Sequence, residues 1–300
     1  MEMEQRYAAL AEYLPPEVRP ALADLFARRG GEVEELRFRV GCPVGVVLCG
    51  REISLCGPDG PIRADAPMLA DLLRRAAHHS RYAVQNQLRR GFVTLPGGHR
   101  LGVCGTAVFA GGSLENLTDL QSMALRIARD CPGAAEAATN LLWSHPASAL
   151  IAGRPGSGKT TVLRDLIRQV SDRFGQRVAV VDERGELAAC LDGSPQLRVG
   201  RLTDVLSFCG KAEGIELLLR SMRPDWIALD EISAEEDLRT ILRASYCGAR
   251  FLATVHVLGP EDLRRRPLYR RLMEDGVFEN LIYLEKDRSL RCERVDDAVS

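Results

Sequence analysis

No excess of either charge marks this 300-residue sequence: 40 basic side chains nearly balance 41 acidic ones, leaving a formal net charge of -1. A surface that is wholly a nucleic-acid footprint is thereby excluded, and nucleic acid is not the expected partner. A local basic groove, such as Arg264, Arg265 and Arg266 with Arg270 and Arg271, is still compatible with the balance. Paired cysteines are also missing. The nine cysteines are odd in number and scattered, without a CxxC pair, and Cys42, Cys49 and Cys56 recur at a seven-residue interval. They are expected to be free thiols of a reducing compartment, acting as small hydrophobes rather than as a disulfide scaffold or structural zinc site. His78, His79, His99 and His145 add no recognised ligand spacing, and no Ser-His-Asp signature stands out.

Long apolar runs are lacking too. The longest charge-free stretches, residues 40–50 and 141–153, are broken by Pro43 and Pro146 and are too short for a spanning helix. The opening Met1-Glu2-Met3-Glu4 has neither the basic nor the apolar region of a signal peptide. The expected location is the cytoplasm, with docking on a membrane protein left open. Disorder is excluded by composition, since 46% of residues are hydrophobic and 27% charged, enough to build and cover a sizeable core. At roughly 150 residues per domain, two domains are expected.

Periodicity divides the chain in the same way. Over residues 1–120 the pattern is α+β: a broken helical stretch at 8–29, alternation typical of a half-buried strand at 34–40, and short strands punctuated by Pro43 and Gly57-Pro58-Asp59-Gly60. A helix follows at 66–87, then a hairpin in which 91–95 and 99–108 flank Pro96-Gly97-Gly98. Residues 121–146 are expected to be a helical linker region, because Ala124, Ile127, Ala128, Ala135, Ala138 and Leu142 recur at helical spacing.

From Ser148 the rhythm becomes strand then helix. Strands are expected at 149–152, 177–181, 226–229 and 251–255, with helices at 161–170, 214–222 and 235–246. An edge hairpin joins 281–285 to 290–294. Apolar strands separated by helices predict a mostly parallel sheet covered on both faces, over residues 147–300.

The motif that carries chemistry is Gly153-Arg154-Pro155-Gly156-Ser157-Gly158-Lys159-Thr160, a complete GxxxxGK[ST] between a strand and a helix, followed by Thr161. Small residues let consecutive backbone N–H groups curl around phosphate oxygens, and the helix N-terminus adds positive potential. In such a loop Lys159 reaches the β- and γ-phosphates of a nucleotide and the Thr160 hydroxyl ligates Mg²⁺. ATP and Mg²⁺ are the expected cofactors.

Acid-ended strands supply the rest. The strand 226–229 runs into Asp230 and Glu231, where Asp230 can orient Mg²⁺-bound water and Glu231 can polarise the attacking water. The strand 177–181 runs into Asp182 and Glu183, which can assist metal or water positioning; a surface salt bridge with Arg184 is the rival. His256 ends the next strand and can sense the γ-phosphate or the catalytic glutamate, or be a satisfied core histidine. Arg220 and Arg223 can favour a helix C-terminus or complete a neighbouring subunit's site as charge-stabilising fingers.

These residues, with Gly91-Phe92-Val93-Thr94-Leu95-Pro96-Gly97-Gly98-His99-Arg100, Arg126-Ile127-Ala128-Arg129, Val181-Asp182-Glu183-Arg184, Arg220-Ser221-Met222-Arg223-Pro224-Asp225 and Asp230-Glu231-Ile232, give a strong resemblance over most of the chain. The sequence resembles the stage III sporulation protein AA family, P-loop ATPases related to type II and type IV secretion and pilus ATPases. The resemblance implies a RecA-like ATPase domain behind a smaller N-terminal domain, assembled as a homo-oligomeric ring. It places Asp182 and Glu183 at an acidic box, Glu231 at the catalytic glutamate, His256 at a histidine box, and Arg220 and Arg223 near the arginines used around nucleotide. It further implies work on the mother-cell side, powering or assembling a membrane-embedded channel complex that links mother cell and forespore. Other classes compatible with the loop are a nucleic-acid-stimulated ATPase, a small-molecule kinase and a nucleotide-bound scaffold without turnover.

Overall fold

The computed structural model describes residues 9–77, 89 and 91–295. The chain divides into two compact units, one of Met1–Arg129 with Leu191–Gln196, the other of Asp130–Cys190 with Leu197–Ser300.

In the first unit α1 (Arg19–Arg29) leads to β1 (Val33–Arg39), β2 (Gly45–Leu48), β3 (Arg51–Ser54) and the small ribbon β4 (Cys56–Gly57) and β5 (Gly60–Pro61). Then come α2 (Ala66–Ala76), β6 (Phe92–Thr94), β7 (Arg100–Ala110) and β8 (Ser113–Arg126). The main sheet is antiparallel with order β3-β2-β1-β8-β7-β6. Its core includes Leu36 and Phe38 of β1, Leu101 and Val103 of β7, and Leu69 and Leu72 of α2. Asp65 caps α2 by accepting the Met68 N–H at 2.8 Å. The expected extension of this helix beyond residue 77, with His78 and His79, lies outside the described residues.

The helical reading of residues 121–146 is corrected. Residues through Arg126 belong to β8, paired with β1 and β7, and a helix forms only at α3 (Glu136–Ser144). The cysteine expectation is corrected as well. All nine thiols are free, but Cys42, Cys49, Cys56, Cys104, Cys131 and Cys247 are exposed, and only the half-buried Cys190 and Cys292 pack against a core as small hydrophobes.

The second unit continues with β9 (Ala149–Gly153), α4 (Lys159–Asp172), β10 (Val178–Asp182), β11 (Thr203–Ser207), α5 (Lys211–Met222), β12 (Trp226–Leu229) and α6 (Glu235–Ser245). β13 (Arg250–His256), α7 (Pro260–Arg265), α8 (Pro267–Glu274), β14 (Asn280–Leu284) and β15 (Leu290–Arg294) complete it. The sheet order is β11-β10-β12-β13-β9-β14-β15, parallel except for the β14–β15 hairpin.

Alternate residues of the buried strands feed two cores, as a pleated sheet requires. Ala149, Ile151, Val178, Val180, Trp226 and Ala228 pack with α3 and α4 on one face. Leu150, Ala152, Ala179, Val181, Ile227 and Leu229 pack with α5, α6, α7 and α8 on the other. Because the strands are parallel, Gly153, Asp182, Asp230 and His256 all arrive at one edge, where ligands of open α/β sheets gather. Among the described residues, no helix is long and apolar enough to cross a membrane.

Candidate nucleotide site

The loop after β9 is shaped by glycine. A Cβ on Gly153 would lie 3.0 Å from Ser157 Oγ and 3.2 Å from Leu284 Cβ, so any larger residue would have to push loop or β14 aside by a few tenths of an ångström. Gly156 and Gly158 hold φ values of 71° and 109°, the second directly before α4. The loop thus turns its backbone onto the N-terminus of a 14-residue helix. Lys159 is buried, its ammonium donating to the Arg154 carbonyl at 2.8 Å. Burial pushes its pKa down, opposed by the charges of Asp230 and Glu231. Ser157 Oγ is buried without a hydrogen-bond partner among the described residues.

The acids are arranged through one threonine. Thr160 Oγ1 donates to Asp230 Oδ2 at 2.9 Å, joining the start of α4 to the end of β12. Thr254 Oγ1 donates to Asp230 Oδ1 at 2.7 Å and accepts the Glu231 N–H at 2.9 Å. Thr254 is fully buried between the apolar neighbours Ala253 and Val255, and the sequence pattern alone assigns it no task. A buried polar group demands partners, and that was the available signal. Glu231 has φ 51°, a left-handed conformation that costs a non-glycine residue about 1 kcal/mol or more. The turn carries its side chain toward Arg184, whose Nη1 donates to Oε2 at 3.0 Å. His256 Nε2 stands 3.9 Å from the same oxygen.

Burial, then the nearby Lys159 ammonium, lowers the His256 pKa against the pull of Glu231 and Asp230. The neutral imidazole is therefore the folded form near pH 7. Since the folded pKa lies below the unfolded value near 6.5, His256 stabilises the fold above that value, and the contribution is lost as pH falls toward the folded pKa. His256→Gln is expected to flatten the acid side of the thermal-stability profile below about pH 6.5; an unchanged pH slope of the melting temperature would contradict this.

The hydrogen bonds of Asp182 give it a structural task beside the expected metal one. Its Oδ1 accepts the Glu186 and Leu187 N–H groups at 2.8 and 3.1 Å, and Oδ2 accepts that of Ala188 at 2.9 Å. The carboxylate is 1% exposed and engaged in holding the loop after β10, which is a reason to look elsewhere for a metal ligand. Asp182→Ala is expected to strand these donors and destabilise the protein by about 2–3 kcal/mol in denaturant unfolding. Unchanged stability with weakened Mg²⁺ binding would return Asp182 to the metal. Glu183 pairs with the buried Lys211 at 2.6 Å, while Arg184 pairs with Glu231 at 3.0 Å.

Arg220 and Arg223 stand apart. Arg220 Nε donates to the Glu216 carbonyl in the last turn of α5, and Arg223 follows that helix with φ 47°. Both precede β12, whereas Asp230 and Glu231 follow it, about 16 Å along the strand. They lie at the sheet edge opposite the loop of their own chain.

Thr160 and Asp230 form a hard-oxygen pair beside the phosphate loop, a donor set suited to Mg²⁺. Among the described residues no group of three or more His, Cys, Asp or Glu could hold a metal. A Mg²⁺ here would accordingly share its coordination with phosphate oxygens and water, its usual habit.

With this geometry in place, comparison with known proteins is decisive. The family described as "Sporulation stage III, protein AA" matches residues 6–293. The chain belongs to that family. This sporulation stage III protein AA family member is 36% identical over 285 residues to "Stage III sporulation protein AA" of Bacillus subtilis (strain 168), covering 93% of this chain and 91% of that one. Its fold is similar to the pilus retraction motor PilT with bound ADP, at TM-score 0.61 and 17% identity over 90% of this chain and 80% of that one. It is also similar to the Legionella pneumophila ATPase DotB, at TM-score 0.57 and 18% identity over 94% and 81%. The fold is that of a RecA-like P-loop NTPase joined to an auxiliary α+β region.

Proposed function

We propose that the chain is a Mg²⁺-dependent ATPase, working as a homo-oligomer, whose turnover powers or assembles a membrane-embedded channel complex between mother cell and forespore during sporulation. The observation that carries the enzymatic part is the Thr160–Asp230–Thr254–Glu231 chain of hydrogen bonds beside the Gly153–Thr160 loop. Membership of a sporulation family supports the biological setting. The likeness to a pilus motor supports the fold on which such work is done.

When bound, ATP with Mg²⁺ supplies the γ-phosphoryl group and a cation that neutralises developing charge. The chain's own residues do the rest. Lys159, now on the Arg154 carbonyl, is one short swing from the centre of the loop and takes the β- and γ-phosphates. Thr160 and Asp230 hold the cation, and Glu231 accepts a proton from the attacking water. Glu183 lies at the same sheet edge, where Lys211 fixes it as a positioning group. The neutral His256 adds no positive charge that would tie down Glu231. Arg220 and Arg223 reach a nucleotide only from a neighbouring copy.

The test is phosphate release by the full chain, followed with and without Mg²⁺ alongside its mass in solution. Mg²⁺-dependent release to water by an assembled species supports the proposal. Tight ATP binding without release would instead identify a nucleotide-bound scaffold.

A further inference from the structure

Resting on the ATPase reading above, we infer that Arg164 is a positioning residue for the reaction: from within the helix that follows the phosphate loop it clamps the segment after β10, and so sets where Arg184 meets Glu231.

Arg164 belongs to α4, one turn beyond Thr160 and on the same face of the helix. Its side chain is 8% exposed, and a buried guanidinium must have its charge and its donors met. Nε donates to the Leu187 carbonyl and Nη2 to the Glu186 carbonyl, each at 2.6 Å. The N–H groups of the same two peptide units, those of Ala188 and Leu187, donate to Asp182 at 2.9 and 3.1 Å. Two adjacent peptides therefore bridge a buried cation to a buried anion, with carbonyls toward Arg164 and N–H groups toward Asp182. Low dielectric strengthens such a chain of dipoles. Two carbonyls one residue apart are met by one fork of N–H groups, which the single ammonium of lysine cannot reproduce.

What the clamp closes gives it a part in the chemistry. Between Asp182 and Glu186 lie only Glu183, Arg184 and Gly185, and the first two make contacts at the site: Glu183 with Lys211 at 2.6 Å and Arg184 with Glu231 at 3.0 Å. The start of this turn is fixed where the Asp182 carbonyl accepts the Gly185 and Phe208 N–H groups at 3.1 and 2.9 Å. A Cβ on Gly185 would stand 2.8 Å from the Phe208 ring, so the turn cannot shift that way. Its end is fixed at Glu186 and Leu187, by Asp182 on the N–H side and by Arg164 on the carbonyl side. Thr160 meanwhile holds Asp230, the residue before Glu231. One rigid helix thus grips both partners of the Arg184–Glu231 pair, through Thr160 on the carboxylate side and Arg164 on the guanidinium side.

The test is steady-state phosphate release by the full chain with ATP and Mg²⁺, in Arg164→Lys, Arg184→Gln and the double substitution. Arg164→Lys keeps the charge and loses the fork, and is expected to lower kcat by about tenfold with KM within about twofold. Because Arg164 acts through Arg184, the double variant is expected to match Arg184→Gln alone. An unchanged kcat in Arg164→Lys, or losses that multiply in the double variant, would overturn the inference. Should Arg164→Lys fail to fold, Gly185→Ala moves the same turn from the Phe208 side: a fall in kcat that disappears when residue 184 is already glutamine supports the inference, and an unaltered kcat overturns it. The clamp itself is read without nucleotide, by hydrogen exchange of the Leu187 and Ala188 amides, which is expected to quicken by about tenfold or more in Arg164→Lys. Quickened exchange with unchanged turnover would confine Arg164 to holding the fold. Protected amides in an unaltered chain that releases no phosphate would instead defeat the ATPase reading, and the positioning role with it.

Discussion

Replacing Glu231 by glutamine is expected to lower ATP turnover by about 10³-fold while ATP affinity changes only a few-fold. The substitution keeps the side-chain volume and an oxygen that can accept from Arg184, but removes the charge that can take a proton from water. The backbone position of residue 231 does not depend on that charge. Its N–H is held by Thr254 Oγ1 at 2.9 Å, and the next N–H, of Ile232, donates to the Thr254 carbonyl at 2.8 Å. Geometry should therefore survive, and the loss should fall on kcat. Single-turnover phosphate release by pre-bound ATP is the appropriate measurement. Turnover within twofold of the original protein would remove Glu231 from the chemistry. A loss of affinity equal to the loss of rate would mean that the ion pair with Arg184, at 3.0 Å, shapes the site rather than the reaction.

Why the acids could be placed from sequence, but not all of their tasks, follows from how each is held. β12 is four apolar residues bounded by Asp225 and Asp230, so its limits were legible without any tertiary knowledge. The phosphate loop was legible because its parts are contiguous. Asp182 and Asp230 read alike, each following an apolar strand, and only the fold shows that the first accepts the backbone N–H groups of the loop after β10 while the second faces Thr160. Thr254 was missed because its task exists only in the register that sets Leu229 against Ala253, bringing the next residue of each strand together. The end of β8 was misread for a different reason. Met123, Leu125 and Ile127 are buried at a spacing of two, but Ala124 and Ala128 with Ile127 complete a helical spacing equally well, and composition could not choose. Pairing with β1 made the choice, through Leu36 against Leu125 and Phe38 against Met123.

Simultaneous replacement of Arg220 and Arg223 by alanine is expected to reduce turnover by about 10³-fold, the scale of a charge-stabilising arginine. The more telling result is what mixing should restore. Within one chain these arginines precede β12 and the carboxylates follow it, which under the proposed function puts their action on nucleotide across an interface between copies. In a ring each site would take Glu231 from one copy and the arginines from the next, a head-to-tail arrangement. Equal amounts of Glu231→Gln chains and arginine-less chains, both nearly inactive, would regain activity at about a quarter of the interfaces, one half times one half. Arg223 already has φ 47°, so alanine adds no backbone strain there, and the melting temperature should stay close to that of the original. Activity that stays at the sum of the two inactive parents, in assemblies shown to contain both, would confine the arginines to their own chain. The separation along β12 would then have to be closed by a rearrangement of α5, and the helix-end reading of Arg220 would regain its place.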